Sequence, residues 1–153
     1  MAERDVRELP GSVLFACTMN AVRSVMAAAI LRHLAGQRVY LESAGVRAGD
    51  VDPFVVAVMD EIGIDVRQHA PHRIDELFDT NFDLVVTLSA EAHHHALEMT
   101  RTMAVDVEYW PTIDATVMRD GTRDQVLAAY RSVRDGLFRR IKARFGLGGG
   151  PSV

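Results

Sequence analysis

Short, unbroken apolar runs alternate along this chain with stretches whose apolar residues recur at steps of three and four. The first run, Ser12–Ala16, has the length of a strand buried on both faces. Met26, Ala27, Ile30, Leu31 and Leu34 follow at helical spacing, which predicts a helix over 23–34 stopped by Gly36. Val39–Ser43 reads as a second strand. Asp52 and Pro53 supply an N-cap and a first-turn proline for a helix through Phe54, Val55, Val58, Met59 and Ile62, ending at Gly63. Residues 64–72 read as irregular, and Asp75–Phe78 as a short helical piece at most. Phe82–Leu88 is the strongest strand signal. Ser89 caps a helix to about Met99, and Ala104–Tyr109 gives a fourth strand. A loop over 110–121 leads to Thr122, the cap of a last helix to about Phe145 with the stripe Val126, Ala129, Tyr130, Val133, Leu137 and Ile141.

Strands that alternate with helices imply right-handed crossovers and a parallel sheet covered on both faces. The expected fold is therefore three-layer α/β/α with a four-stranded parallel sheet. One domain is expected over 1–153, with residues 1–10 as a polar leader and 146–153 as a flexible tail. In such sheets ligands sit beyond the carboxyl ends of the strands, where Cys17, Ser43, Ser89 and the loop after Tyr109 all fall.

Composition narrows the function classes. The apolar fraction of 48% and charged fraction of 25% are those of an ordinary globular protein. A net charge of -4 argues against a sequence-independent grip on nucleic acid. No apolar run approaches the roughly 18 residues of a membrane span. The mixed charges of Met1–Glu8 lack the apolar core of a secretory signal, so a cytoplasmic location is expected. A single cysteine excludes a disulfide framework and a multi-cysteine metal site. His93, His94 and His95 point about 100 degrees apart on a helix and cannot converge on one ion. They read as an exposed face. Neither a metal nor a cofactor is expected, and the oligomeric state is left open.

The chemistry lies in the turn from the first strand into the first helix, Cys17-Thr18-Met19-Asn20-Ala21-Val22-Arg23-Ser24. Such a loop offers unpaired backbone N–H groups, and the helix start adds partial positive charge, so together they form an anion cradle. Arg23 can give a phosphate-like oxyanion two parallel charge-assisted bonds, which Lys cannot. The same field favours a thiolate at Cys17. Ser24 is placed to donate a hydrogen bond to that thiolate, and Asn20 suits the left-handed backbone of a tight loop. Thiolate, amide cradle and guanidinium are the parts needed for in-line displacement at phosphorus.

The pattern Cys-x5-Arg-Ser resembles the low-molecular-weight protein tyrosine phosphatases and the related thioredoxin-coupled arsenate reductases. The likeness runs from about Val13 to Phe145 and includes Ser43-Ala44-Gly45, Asp52-Pro53, Gly63-Ile64-Asp65, His69 and Phe82–Val86. It implies a nucleophile at Cys17 and an oxyanion clamp at Arg23. Thr18, Met19, Asn20, Ala21, Val22 and Ser24 would line the substrate loop, supported by Ser43 and His69. The family's late general acid falls on Asp114, with Asp120 next in line. The function implied is hydrolysis of phosphomonoesters through a cysteinyl-phosphate, on a phosphorylated protein or a small phosphomonoester.

The chain departs from that pattern at three places. Met19 stands where the loop usually has glycine, Ala115 follows the acid in place of proline, and no aromatic residue matches those that flank phosphotyrosine. Residues 82–114 and Tyr130–Leu137 look more like the reductases. The reductases' resolving cysteines, however, would fall at or near Ser89 and Ala96, and an internal disulfide relay has no second thiol. Two alternatives follow: arsenate reduction through an external thiol such as glutathione or mycothiol, and a lapsed relative that binds an oxyanion or a phosphorylated partner without turnover. His72 is a weaker candidate than His69 for supporting the loop, and His33 reads as solvated. Trp110 reads as a packing anchor, and Tyr109 and Tyr130 as core or boundary residues. Arg134, Arg139, Arg140, Lys142 and Arg144 read as a solvated basic face.

Overall fold

The computed structural model describes residues 9–77 and 81–147. Four strands, β1 (Ser12–Cys17), β2 (Tyr40–Gly45), β3 (Leu84–Thr87) and β4 (Asp106–Tyr109), form one sheet in the order β2-β1-β3-β4. Every pairing is parallel, with Cys17 opposite Gly45 and Ala16 opposite Thr87. The helices are α1 (Arg23–Ala35), α2 (Pro53–Asp60), α3 (Ala90–Met99) and α4 (Arg123–Phe145), with 3-10 turns at Gly36–Arg38, Ile74–Leu77 and Ala115–Met118.

Alternation along β1 divides the core. Val13, Phe15 and Cys17 face α1, α2 and α4, whereas Leu14 and Ala16 face α3 and Ile74. The expected three layers and four parallel strands are present. Because β2 and β3 lie on opposite sides of β1, the chain changes direction there, and a crevice opens beyond Cys17. Among the described residues no helix is long and apolar enough to cross a membrane.

Several element ends differ from the sequence expectations. The third strand, Leu84–Thr87, is shorter than 82–88; just before it, the Asp83 carboxylate accepts from the N–H groups of Gly11 (2.9 Å) and Ser12 (3.2 Å) and ties the start of β1 to β3. The fourth begins at Asp106, not Ala104, and the 110–121 loop contains a 3-10 turn that Asp114 caps. Phe78 and most of the expected leader and tail lie outside the described residues. Leu9, at the leader's end, packs on the core. At the tail's start Gly146 is left-handed (φ 66°), and Leu147 is buried and donates its N–H to the Lys142 carbonyl. This is a Schellman-type close, which ends the helix while covering its last apolar turn.

The last helix also corrects the reading of a solvated basic face. Arg134 is buried and donates to the Val58 carbonyl (2.8 Å), Glu61 (2.8 Å) and Asp135 (2.8 Å). Arg144 binds Glu108, and Arg140 lies over the Trp110 ring. Arg134 and Arg144 thus have carbonyl or carboxylate partners outside α4, which hydropathy cannot show, whereas Arg139 and Arg140 are exposed as the sequence implies. Hydrogen bonds from Arg131 and then Arg134 hold the Glu61 carboxyl down at about 2, from an ordinary 4.5. A depressed carboxyl contributes stability that is complete above its unfolded value and lost as pH falls towards its folded one. Denaturation midpoints should therefore show Glu61→Gln less stable than wild type at pH 7. The gap should close between about pH 4.5 and 2.

Candidate active site

β1 ends at Cys17 because its apolar run ends there, and α1 starts at Arg23. The five residues between must reverse direction in a tight arc. Asn20 takes the left-handed conformation that this requires, with φ 52°, and is the only described non-glycine residue to do so. Segment 46–52 runs beside the arc and occupies its carbonyls. Val46, Arg47, Gly49 and Asp52 donate their N–H groups to Cys17, Thr18, Met19 and Ala21 at 2.8–3.2 Å. With carbonyls held outside, the N–H groups of Thr18 to Arg23 have no protein acceptor among the described residues. That is the electrostatic arrangement of an anion cradle.

Cys17 is 2% exposed. Its Sγ lies 3.0 Å from the Ser24 hydroxyl and 3.4 Å from the Ser24 backbone N. The Asn20 side chain, fully buried, ties the loop to two remote segments. Its Nδ2 donates to Ser24 Oγ (2.9 Å) and Ser43 Oγ (3.0 Å), and its Oδ1 accepts from the His72 N–H (2.9 Å) and lies 3.2 Å from His69 Nε2. Burial outweighs the hydrogen bond to Asn20 and lowers the basicity of His69, so a neutral ring with a protonated Nε2 suits this contact. His72 contributes through its backbone, while its ring lies near Glu42 and Glu76.

Arg23 and Asp114 meet on the other side of the loop. Arg23 donates to the Thr112 carbonyl (3.0 Å), and its second terminal nitrogen is 4.0 Å from Asp114 Oδ2. Asp114 accepts from the Thr116 N–H (3.0 Å) and hydroxyl (2.7 Å). Partial burial opposes ionisation of this carboxyl, but the Thr116 bonds and the Arg23 charge together hold it below the ordinary aspartate range. Cys17, Thr18, Met19, Ala21, Val22, Arg23 and Asp114 all line one cleft of about 450 Å³, together with Asp50, Asp52, Thr116 and Arg119. The structure thus brings together the residues that sequence reasoning picked, and Asp120 is not among the lining residues. Met19 is 42% exposed and does not plug the cradle, because its thioether end extends towards Gly49 on the rim.

Two contacts that hold the loop do not follow from the sequence pattern, although it includes their residues. Thr18 Oγ1 donates to Ser89 Oγ (3.0 Å), which joins the loop to the cap of α3. Gly45 lies so close to the arc that a Cβ there would fall 2.5 Å from the Asn20 N. A glycine closing a strand end was the one available signal. Trp110 is buried against Phe15 and Phe145 and anchors the start of the 110–121 loop, as expected. The three histidines do diverge, but not as a uniformly exposed face. His93 bonds Thr87 and stacks on Tyr109, His95 pairs with Asp75, and His94 is exposed.

The family model described as low molecular weight phosphotyrosine protein phosphatase matches residues 12–144. An arsenate reductase of Halalkalibacterium halodurans is 34% identical over 132 residues, covering 85% of this chain and 91% of the relative. An arsenate reductase of Bacillus subtilis is also 34% identical, over 85% and 91% of the two chains. The solved arsenate reductase of Archaeoglobus fulgidus superposes with a TM-score of 0.67 at 28% identity, covering 88% and 98%. A tyrosine phosphatase of Erwinia amylovora gives a TM-score of 0.70 at 19% identity, covering 92% and 95%, a likeness of fold.

Proposed function

Because the chain belongs to the low-molecular-weight phosphotyrosine protein phosphatase family, we propose that it hydrolyses phosphomonoesters through a cysteinyl-phosphate at Cys17. The observation that carries this reading is a single buried thiol within a cradle of free loop amides, on one cleft with Arg23 and Asp114. The loop amides and Arg23 hold the non-bridging phosphoryl oxygens. Cys17 Sγ forms its bond to phosphorus as the ester P–O bond breaks, and Asp114 gives its proton to the leaving oxygen. Water then attacks phosphorus and passes a proton to the Asp114 carboxylate. The S–P bond breaks, and the departing thiolate is received by the Ser24 hydroxyl and N–H. Substrates are phosphorylated side chains of proteins or small phosphomonoesters. Without an aromatic wall, binding alone gives tyrosyl esters no stacking advantage over alkyl esters.

A second reading rests on the 34% identity to named arsenate reductases. Here Cys17 attacks arsenic and displaces hydroxide. An external thiolate then attacks Cys17 Sγ, the S–As bonding pair passes to arsenic, arsenite leaves, and a second external thiol reduces the mixed disulfide. The position at the end of β3 that would favour an internal relay is Ser89, already bonded to Thr18. Hydrolysis of p-nitrophenyl phosphate without added thiol supports the first reading. Thiol consumption that depends on arsenate, without phosphate release, replaces it with the second. Phosphate binding with neither turnover identifies a lapsed enzyme.

The acid role of Asp114 predicts a dependence on the leaving group. Asp114→Asn should lower kcat for phenyl phosphate about 100-fold and for p-nitrophenyl phosphate far less, since nitrophenolate leaves without a proton. Asp114 is held ionised in the free enzyme, and a bound phosphoryl dianion both repels its charge and engages Arg23. The Asp114-dependent alkaline fall in kcat/KM should therefore begin at lower pH than the fall in kcat, as pH–rate profiles would show.

A further inference from the structure

A chain of hydrogen bonds runs from the last helix into the floor of the cradle. The Tyr130 hydroxyl, on α4, donates to Asp52 Oδ2 at 2.7 Å. The other oxygen of Asp52 accepts from the Phe54 N–H (2.8 Å) and caps α2. The Asp52 N–H donates to the Ala21 carbonyl at 3.2 Å. Tyr130 is 3% exposed, and its ring packs on Phe54 with centroids 5.3 Å apart. A side chain so buried in an α4 stripe of Val126, Val133 and Leu137 would serve packing equally well as phenylalanine. Its hydroxyl instead has one partner, on the one residue whose backbone holds Ala21.

We propose that Tyr130 is a positioning residue for the oxyanion cradle, acting through Asp52 to fix the Ala21 carbonyl and so the direction of the loop amides. The geometry makes this specific. A peptide plane is rigid, so holding the Ala21 carbonyl outside the arc aims the Val22 N–H into it. Asp52 can hold that carbonyl only while its own backbone is fixed, and two bonds to its carboxylate do this, one local and one from α4. Burial, with the hydrogen bond to Asp52, raises the Tyr130 phenol, so it remains a donor through the working pH range. The proposal rests on the cradle reading of the site, although not on which oxyanion is turned over.

The test is phosphate and vanadate binding by calorimetry, which needs no turnover and so separates this proposal from the hydrolase reading. Tyr130→Phe keeps the ring on Phe54 and should weaken both oxyanions about tenfold, the scale of one hydrogen bond to a charged group, with a Tm no more than about 6 °C below wild type. Asp52→Ser keeps an N-cap for α2 but cannot reach the phenol, and it should weaken binding by a similar factor. The double variant should lose no more than the larger single loss, since both substitutions cut the same chain. Unchanged oxyanion affinity in Tyr130→Phe, or losses that multiply in the double variant, would overturn the proposal. If Tyr130→Phe does not fold, Asp52→Ser decides alone by the same affinity criterion.

Discussion

Cys17→Ser is expected to lose turnover of p-nitrophenyl phosphate by about 10⁴-fold or more while still binding phosphate. The hydroxyl replaces the thiol at a 2% exposed position with its partners in place, the Ser24 hydroxyl at 3.0 Å and the Ser24 N at 3.4 Å. The cradle amides belong to the backbone, and Arg23 is untouched, so the anion site persists. What disappears is the sulfur nucleophile itself. A serine hydroxyl is far less acidic than a thiol, and the cleft lining includes no histidine to act as its base. Steady-state assays paired with phosphate calorimetry separate the two effects. Turnover that survives in Cys17→Ser would mean that another group attacks phosphorus, and the mechanism would fall.

Gly45→Ala is the second large effect, at a position with no chemistry of its own. A methyl group there would meet the Asn20 N at 2.5 Å, the Met19 carbonyl carbon at 2.7 Å and the Arg47 carbonyl oxygen. All three are backbone atoms, which cannot rotate away as a side chain would, and two belong to the cradle. Overpacking of this kind costs about 3 kcal/mol, or roughly 6–12 °C in Tm for a chain of this size. The relief available is an outward shift of the arc, and displacements near 1 Å at reacting groups cost about 100-fold in rate. Both losses should appear together, in a thermal melt and in kcat/KM. An alanine variant that kept full activity would show that the arc is not held against β2 as described.

Legibility in the sequence followed the distance over which each interaction acts. The cradle was readable because its chemistry is contiguous. Cys17, the tight arc and Ser24 fall within eight residues, and a buried run giving way to a helix start brings them together without help from the rest of the fold. Asn20 shows where that stops. Its left-handed backbone was inferable from residue type. Its side chain, however, joins Ser24, Ser43, His69 and the His72 backbone, and those partners meet only when β2 lies beside β1 and the 64–72 segment folds over both. Arg134 shows the same limit from the other side. As a helix charge it read as solvated, yet Val58 and Glu61 on another element make its burial tolerable.

The sequence by itself therefore determined the alternating α/β architecture, the thiol-bearing turn and the absence of a second thiol. Each of these is a matter of local periodicity, backbone preference or composition. The tertiary structure alone decided which loop atoms face the cleft. The carbonyls of Cys17, Thr18, Met19 and Ala21 could bond to water or turn inward in an isolated peptide. Parallel pairing of β1 with β2 brings segment 46–52 alongside to take them. It also decided that Met19 lies on the rim, that Asp114 approaches Arg23 across the cleft, and that Tyr130 reaches Asp52 from 78 residues away. Those contacts depend on strand order and helix packing, which follow from burial of the whole core rather than from any one stretch of the chain.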